Sequence, residues 1–260
     1  MNKVIFPYKI FPGWPKPDET DPTFWELADL VVTQANKFYD TTLICDSYTL
    51  DYIQDKLPFK NVELSDGVSN YKGNSYGLPK IMAMLEQTEP YIMLDLDSVL
   101  LKPIKKYDNI AFGFAEINFQ HPEGVTEGMM DSAVRLYYQK EELDKVKPNL
   151  PTDLVLKWNK IPNSSLVYVP DPEIIKEIYS EILLNHKDVI EEISPMMTEQ
   201  FLLIQYLNHY GHKIDWVQMD YGIEDMNINQ NYYLHWGKND TKNNILLKLL
   251  RDRYMKKNLI

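Results

Sequence analysis

Tyr91-Ile92-Met93-Leu94-Asp95-Leu96-Asp97-Ser98-Val99-Leu100-Leu101-Lys102-Pro103 decides how this chain is read. Four apolar or aromatic residues run into two carboxylates at alternate positions, and a second apolar run closed by proline follows. The stretch reads as a buried strand whose C-terminal end carries Asp95 and Asp97. Residues i and i+2 of a strand share a face, and ligands of open α/β sheets gather outside the carboxyl ends of the strands. Two acids placed there reach one ligand edge. Two hard oxygen ligands are a typical protein contribution to a Mg²⁺ or Mn²⁺ site that water and substrate phosphates complete. Alone, an Asp-x-Asp pair is more often a solvated strand end. A metal site also needs a third ligand, cations for the phosphates and a sheet to stand on.

Immediately upstream, Tyr71-Lys72-Gly73-Asn74-Ser75-Tyr76-Gly77-Leu78-Pro79-Lys80 is a glycine-bearing loop entering a helix at Pro79, where proline suits the first turn. Leu78, Ile81, Met82 and Leu85 give that helix its apolar stripe. Lys80 falls in the first turn, where a cation gains nothing from the helix dipole, so its position predicts an anion nearby. Further upstream, Lys3 to Phe6 reads as a strand, and Pro7 to Pro22, with five prolines, as a loop. Thr23-Phe24-Trp25-Glu26 matches a capping box. Phe24, Ala28, Val31, Ala35 and Phe38 then recur at helical spacing, predicting a helix to about Tyr39. Thr41 to Cys45 is a strand ending at Asp46, Ser47 to Leu57 a helix stopped by Pro58, and Asn61 to Leu64 a short strand. This β, α, β, α, β order begins a nucleotide-binding α/β half. No Gly-x-Gly-x-x-Gly or Walker pattern accompanies it, which excludes the usual dinucleotide and P-loop arrangements.

Downstream, Ile110 to Phe114 reads as a strand, Glu116 to Gly128 as a loop near the site, and Asp131 to Lys140 as a helix. Asn163-Ser164-Ser165 places small polar residues directly before an apolar strand. Asp171-Pro172 is an N-cap with proline at the first helical position, opening a helix to about His186. Glu199 and Gln200 lie in the first turn of an apolar helix, Phe201 to Tyr210, which Gly211 ends. Lys213 to Val217 is a late strand. Tyr232 to Lys242 then joins His235, a candidate third metal ligand, to Lys238 and Lys242 around Gly237. The tail, residues 243–260, has Ile245, Leu246, Leu249, Leu250 and Tyr254 along one side and basic residues elsewhere. It reads as a basic amphipathic helix, either packing or docking at a membrane surface. Residues 1–242 are taken as one domain, with this helix appended.

Lys and Arg total 27 against 38 acids, a net charge of -11, which excludes a general affinity for nucleic acid. Cys45 is the only cysteine, so neither an intramolecular disulfide nor a zinc-cysteine cluster forms. No stretch is long and apolar enough to span a bilayer. The expected location is the cytoplasm, with peripheral contact at the inner face of a membrane if the tail docks there.

Taken together, the motifs resemble those of GT-A-fold glycosyltransferases, nearest to the glycogenin-like and bacterial lipopolysaccharide galactosyltransferase group, with a second likeness to mannosyltransferases sharing the Asp-x-Asp arrangement. The resemblance spans roughly residues 41 to 242. It implies an α/β fold built on a single Rossmann-like mixed sheet flanked by helices. It also implies that Lys80 contacts the donor and that Asp95-Leu96-Asp97 is the family's DxD motif. Asn163-Ser164-Ser165 looks like an Asn-Ser-Gly strand lining the sugar sites, with Ser165 in place of glycine. Glu199-Gln200 is similar to an Asp-Gln pair opening a helix, with Glu199 in place of aspartate. His235 to Lys242 looks like a terminal His-x-x-Gly-x-x-Lys, with Gly237 two residues after His235 instead of three and neither Lys238 nor Lys242 at the family spacing.

What the resemblance implies is a hexosyltransferase. A nucleoside-diphosphate sugar, UDP-sugar favoured, is the donor; a glycan, lipid-linked or polysaccharide acceptor receives the hexose with retention. Asp95, Asp97 and His235 would hold Mn²⁺ or Mg²⁺. Lys80, Asn163, Lys238 and Lys242 would bind the donor, and Glu199 and Gln200 would sit beside the sugar. Two other readings stand. In a haloacid-dehalogenase-type phosphatase Asp95 would be the nucleophile, although that motif normally belongs to the first strand and a second acidic pair is missing. The other is a domain that binds a nucleotide sugar without turnover.

Overall fold

The computed structural model describes residues 2–20, 24–118, 140–157, 160–218 and 233–235. The alternating N-terminal half is present. Strand β1 is Lys3–Pro7, and a short helix α1, Pro17–Thr20, lies within the proline-rich segment read as loop. Helix α2 is Phe24–Asn36, β2 Asp40–Cys45, α3 Ser47–Ile53 and β3 Asn61–Leu64. Helix α2 stops three residues short of Tyr39, and α3 four short of Leu57. Asp46 starts α3 by accepting the Thr49 amide at 2.8 Å. Ser65 does the same for a helix the sequence did not announce, α4, Asp66–Asn70, taking the Val68 amide at 2.9 Å. Helix α5, Gly77–Leu85, begins two residues before Pro79.

β4, Tyr91–Leu94, ends before the acidic pair, and β5, Ser98–Leu100, begins after it. Asp95 and Asp97 therefore stand on a turn, closed by the Ser98 amide donating to the Asp95 carbonyl at 3.1 Å, and not on one strand face as the alternation suggested. The remaining elements are β6, Ile110–Phe112; β7, Ala115–Asn118; α6, Lys140–Val146; β8, Lys160–Pro162; β9, Leu166–Val169; α7, Pro172–Asn185; α8, Leu203–His209; β10, Ile214–Trp216; and β11, Tyr233–His235. A π-helical segment, Met197–Leu202, precedes α8 where an ordinary helical turn was expected. Strand β7 takes the first residues of the segment read as a loop from Glu116 to Gly128. The expected helix from Asp131 falls outside the described residues apart from its last, Lys140, which begins α6.

The central sheet has seven strands in the order β10-β6-β9-β4-β1-β2-β3. β3, β2, β1 and β4 are parallel neighbours, as are β10 and β6. β9 runs antiparallel between β4 and β6. This is the mixed α/β sheet flanked by helices that the sequence predicts. Both faces are covered, so the strands are nearly continuous apolar runs. Ile5, Ile44, Tyr91, Met93, Val167 and Val169 face α5, α7 and α8. Val4, Phe6, Leu43, Cys45, Ile92 and Leu94 face α2 and α3. The two-residue period of a strand sorts these residues onto opposite faces. Among the described residues no helix is long and apolar enough to cross a membrane.

Candidate functional site

The direction of β9 determines what meets the acidic turn. Because β9 is antiparallel to β4, its N-terminal end lies at the edge where β4 finishes. Leu166 pairs with Leu94, and the Ser165 carbonyl accepts the Asp95 amide at 2.9 Å. The small polar run Asn163-Ser164-Ser165 is thereby set against Asp95. Asn163 Oδ1 accepts the Ser165 amide at 2.8 Å, which holds this approach in shape. The first turn of α5 brings Lys80 from one side, and the π-helical segment brings Glu199 and Gln200. π-Helical turns are rare and often mark functional sites.

Lys80 joins these pieces. Its Nζ lies 2.9 Å from Asp95 Oδ1 and 3.1 Å from Oδ2, so it holds both oxygens of that carboxylate. It is 2.8 Å from Glu199 Oε2 and donates to the Ser164 carbonyl at 3.0 Å. Ser164 Oγ donates to the same Glu199 oxygen at 3.1 Å. The anion predicted beside Lys80 is therefore the protein's own pair of carboxylates. Burial disfavours the lysine charge, but attraction to Asp95 and Glu199 outweighs it and raises Lys80 above the ordinary lysine value. For Glu199 burial dominates. Aided by Asp95 and opposed by Lys80, it lifts the carboxyl above its usual range. Among the described residues, Lys80 is the ammonium shared by the Asp95 and Glu199 carboxylates.

The walls of the site are shaped for close approach. A Cβ on Gly77 would overlap Glu199 Oε1 and come within 2.6 Å of Pro195 Cβ, so only glycine lets α5 start this close to the π-helical segment. Tyr76 stands at the lip, 62% exposed, within range of the charges of Glu199, Lys80 and Asp95. The buried Gln200 Oε1, Ser98 Oγ and Ser165 Oγ make no hydrogen bond to any described residue. Buried polar atoms are normally paired, so these three hold hydrogen-bonding capacity that the described residues do not use.

Asp95 and Asp97 offer hard oxygen donors on one turn. Among the described side chains, no group of three His, Cys, Asp or Glu is gathered to hold a metal ion. The backbone of β11 nevertheless pairs antiparallel with β5, placing His235 opposite Ser98 and thus beside the acidic turn in register. The donor chemistry and this register fit a divalent cation. Lys238, Lys242 and the tail from 243 to 260 lie outside the described residues.

Sequence reading missed a second charged pair on the same edge of the sheet. Lys9, just after β1, lies 2.6 Å from Asp46 Oδ2 and donates to the Val68 carbonyl, also at 2.6 Å. Burial works against ionisation of Asp46, but hydrogen bonds from Lys9 and Thr49 prevail and hold its carboxyl below the usual range. The available signal was an aspartate directly after β2. His186, expected to be a cap or a surface residue, caps α7 and is fully buried against Tyr206, at 3.2 Å from its hydroxyl.

A family model described as a family of unknown function (DUF6734) matches residues 12–145, just over half of the chain. Comparison of the sequence with curated proteins gives no match. Among solved structures, the chain is similar to the PaToxG glycosyltransferase, with 11% identity, 96% of this chain and 77% of that one covered, and a TM-score of 0.45. It is also similar to 4-diphosphocytidyl-2C-methyl-D-erythritol synthase from Anaerococcus prevotii, at 11% identity, 97% and 98% coverage and a TM-score of 0.43. Mouse xyloside xylosyltransferase 1 is similar at 9% identity, 91% and 97% coverage and a TM-score of 0.43. Likenesses this distant decide nothing about chemistry, which rests on the residues themselves.

Proposed function

For a chain that belongs to the family of unknown function DUF6734, we propose a metal-dependent glycosyltransferase. It moves a hexose from a nucleoside-diphosphate sugar, UDP-sugar favoured, to a glycan, lipid-linked or polysaccharide acceptor with retention. The observation that carries this reading is the buried network of Lys80, Asp95, Glu199 and Ser164 at the carboxyl end of β4. Ligands bind at this edge of α/β sheets, and a buried polar cluster beside unpartnered polar atoms is costly unless it serves a ligand.

In this reading Asp95, Asp97 and His235 hold Mn²⁺ or Mg²⁺, which supplies Lewis-acid stabilisation of the leaving diphosphate. Lys80 would add positive charge near the departing phosphates. Gln200, whose amide oxygen lacks a partner among the described residues, faces the donor sugar. Asn163 shapes the backbone that Asp95 and Lys80 lean on, and Glu199 orients Lys80. A retaining transfer requires no strong protein base, in keeping with a Glu199 carboxylate already engaged by Lys80 and Ser164. Lys238 and Lys242 would complete the cationic side of the donor site. Tyr76 offers a ring for stacking on a base or sugar.

The test is isothermal titration of UDP and GDP, each with and without Mn²⁺, against wild type and Asp97→Ala. Metal-dependent binding of one nucleotide, weakened at least about 100-fold in Asp97→Ala, is expected. No binding of either nucleotide would sink the UDP and GDP forms of the proposal.

A further inference from the structure

We propose that Lys80 is the resident counter-ion of Asp95 and must give up that carboxylate when a divalent cation is bound, so that cation and nucleoside diphosphate bind together and the cation alone binds weakly. The inference rests on the transferase reading and adds an order of binding to it.

An ammonium has three donors and no acceptor. Those of Lys80 are used by Asp95, by Glu199 Oε2 at 2.8 Å and by the Ser164 carbonyl at 3.0 Å. Both oxygens of Asp95 are within reach of the same nitrogen, at 2.9 and 3.1 Å. Lys80 thus sits where a second cation at Asp95 would be repelled, and it has no donor left for a phosphate. The three partners are not equivalent. The Glu199 side chain is 7% exposed and that of Asp95 31%, so Asp95 is the partner solvent screens best and the one most easily released. Glu199 stays as the tether.

A diphosphate changes the balance. It offers Lys80 a new anion as Asp95 is taken over, whereas a cation arriving alone leaves the ammonium facing it with nowhere to go. Gly77 preserves the tether, since Glu199 Oε1 lies where its Cβ would be. No bond is made or broken in this exchange, which moves one ammonium between two anions.

The test is Mn²⁺ binding followed by electron paramagnetic resonance, without nucleotide and with UDP or GDP, in wild type, Lys80→Met and Lys80→Gln. Without nucleotide, the variants are expected to bind Mn²⁺ at least about tenfold more tightly than wild type, a difference of roughly 1.4 kcal/mol. The gain in Mn²⁺ affinity that nucleotide gives should shrink in the variants. Equal affinity for Mn²⁺ alone in wild type and variants, with nucleotide-dependent binding intact in wild type, overturns this inference and leaves the transferase reading standing. Absence of any Mn²⁺-dependent nucleotide binding by wild type overturns both. Should the variants fail to fold, wild type labelled with ¹³C at lysine Cε supplies the answer. The Lys80 resonance should shift when Mg²⁺ and nucleotide are added together, and a resonance unmoved in a sample that binds both overturns the inference.

Discussion

Lys9 and Lys80 are both sequestered lysines at the carboxyl edge of one sheet, with side chains 6% and 10% exposed. They differ in how their charge is answered. Lys9 meets one carboxylate, Asp46, and one carbonyl, that of Val68. Its partner is itself fixed as the N-cap of α3. Charge there is balanced and each group has a structural duty. Lys80 meets two carboxylates, one of them at a partly exposed turn. Polar atoms of Gln200, Ser98 and Ser165 that have no hydrogen-bond partner among the described residues belong to the elements that converge there. The first pair reads as a brace, and the second cluster, one lysine shared by two carboxylates at a partly exposed turn, as a site.

The largest effect expected is at the brace. Asp46→Ala leaves Lys9 buried without its counter-ion and strips the cap from α3. Breaking a buried pair from one side costs about 3–5 kcal/mol, measured as loss of unfolding free energy in urea. A loss below about 1 kcal/mol would mean that the Lys9 pair is no brace, and the distinction between the two lysines would fail.

Next is Gly77→Ala, which tests how tightly the Lys80 cluster is confined. The added methyl overlaps the Glu199 carboxylate and crowds Pro195, and overpacking of this kind costs about 1–3 kcal/mol. Because Glu199 must move, the mutant should also lose Mn²⁺-dependent nucleotide binding beyond what its stability change explains. Unchanged binding and stability would show that the cluster tolerates rearrangement.

Much of this was legible in the sequence, and the failures have physical causes. The apolar runs ending at Cys45 and Leu94 announce strands of a sheet covered on both faces, and Asp171-Pro172 announces the start of α7. Asp95 and Lys80 stood out as charges beside apolar segments, whereas Glu199 and the uncharged Asn163 run could be named only through the family resemblance. That they share one point could not be read, since it depends on β9 running antiparallel between β4 and β6. Local pattern carries no strand direction. The alternation at Asp95 and Asp97 suggested one strand face, yet the chain turns between them, because the apolar run continues on the other side as β5. The π-helical segment at Met197 was equally hidden, as its composition is that of an ordinary apolar helix. Lys9 and Asp46 lie far apart in sequence, and neither is unusual until β1 and β2 pair.

The smallest expected effect is also the sharpest, because the two regions should respond to pH with opposite sign. Asp46 is held below its ordinary value of 3.8. Its ionised form is the stabilised one, so its contribution is present above that value and is lost as pH falls through the lowered native one. Glu199 is raised above its ordinary value of 4.5. Its contribution is complete below 4.5 and is lost as pH rises through the raised native value. Lys9→Met should therefore cost less as pH falls from 3.8 toward the lowered native value of Asp46. Glu199→Gln should gain on wild type as pH climbs, since it keeps the shape of the neutral acid without its charge. Urea midpoints across roughly pH 3 to 8 would show differences on the order of a few tenths molar. If both variants drift the same way with pH, the burial of the Glu199 carboxyl beside Lys80 is not felt by the folded state. Lys80 would then be a second brace, differing from Lys9 only in its neighbours.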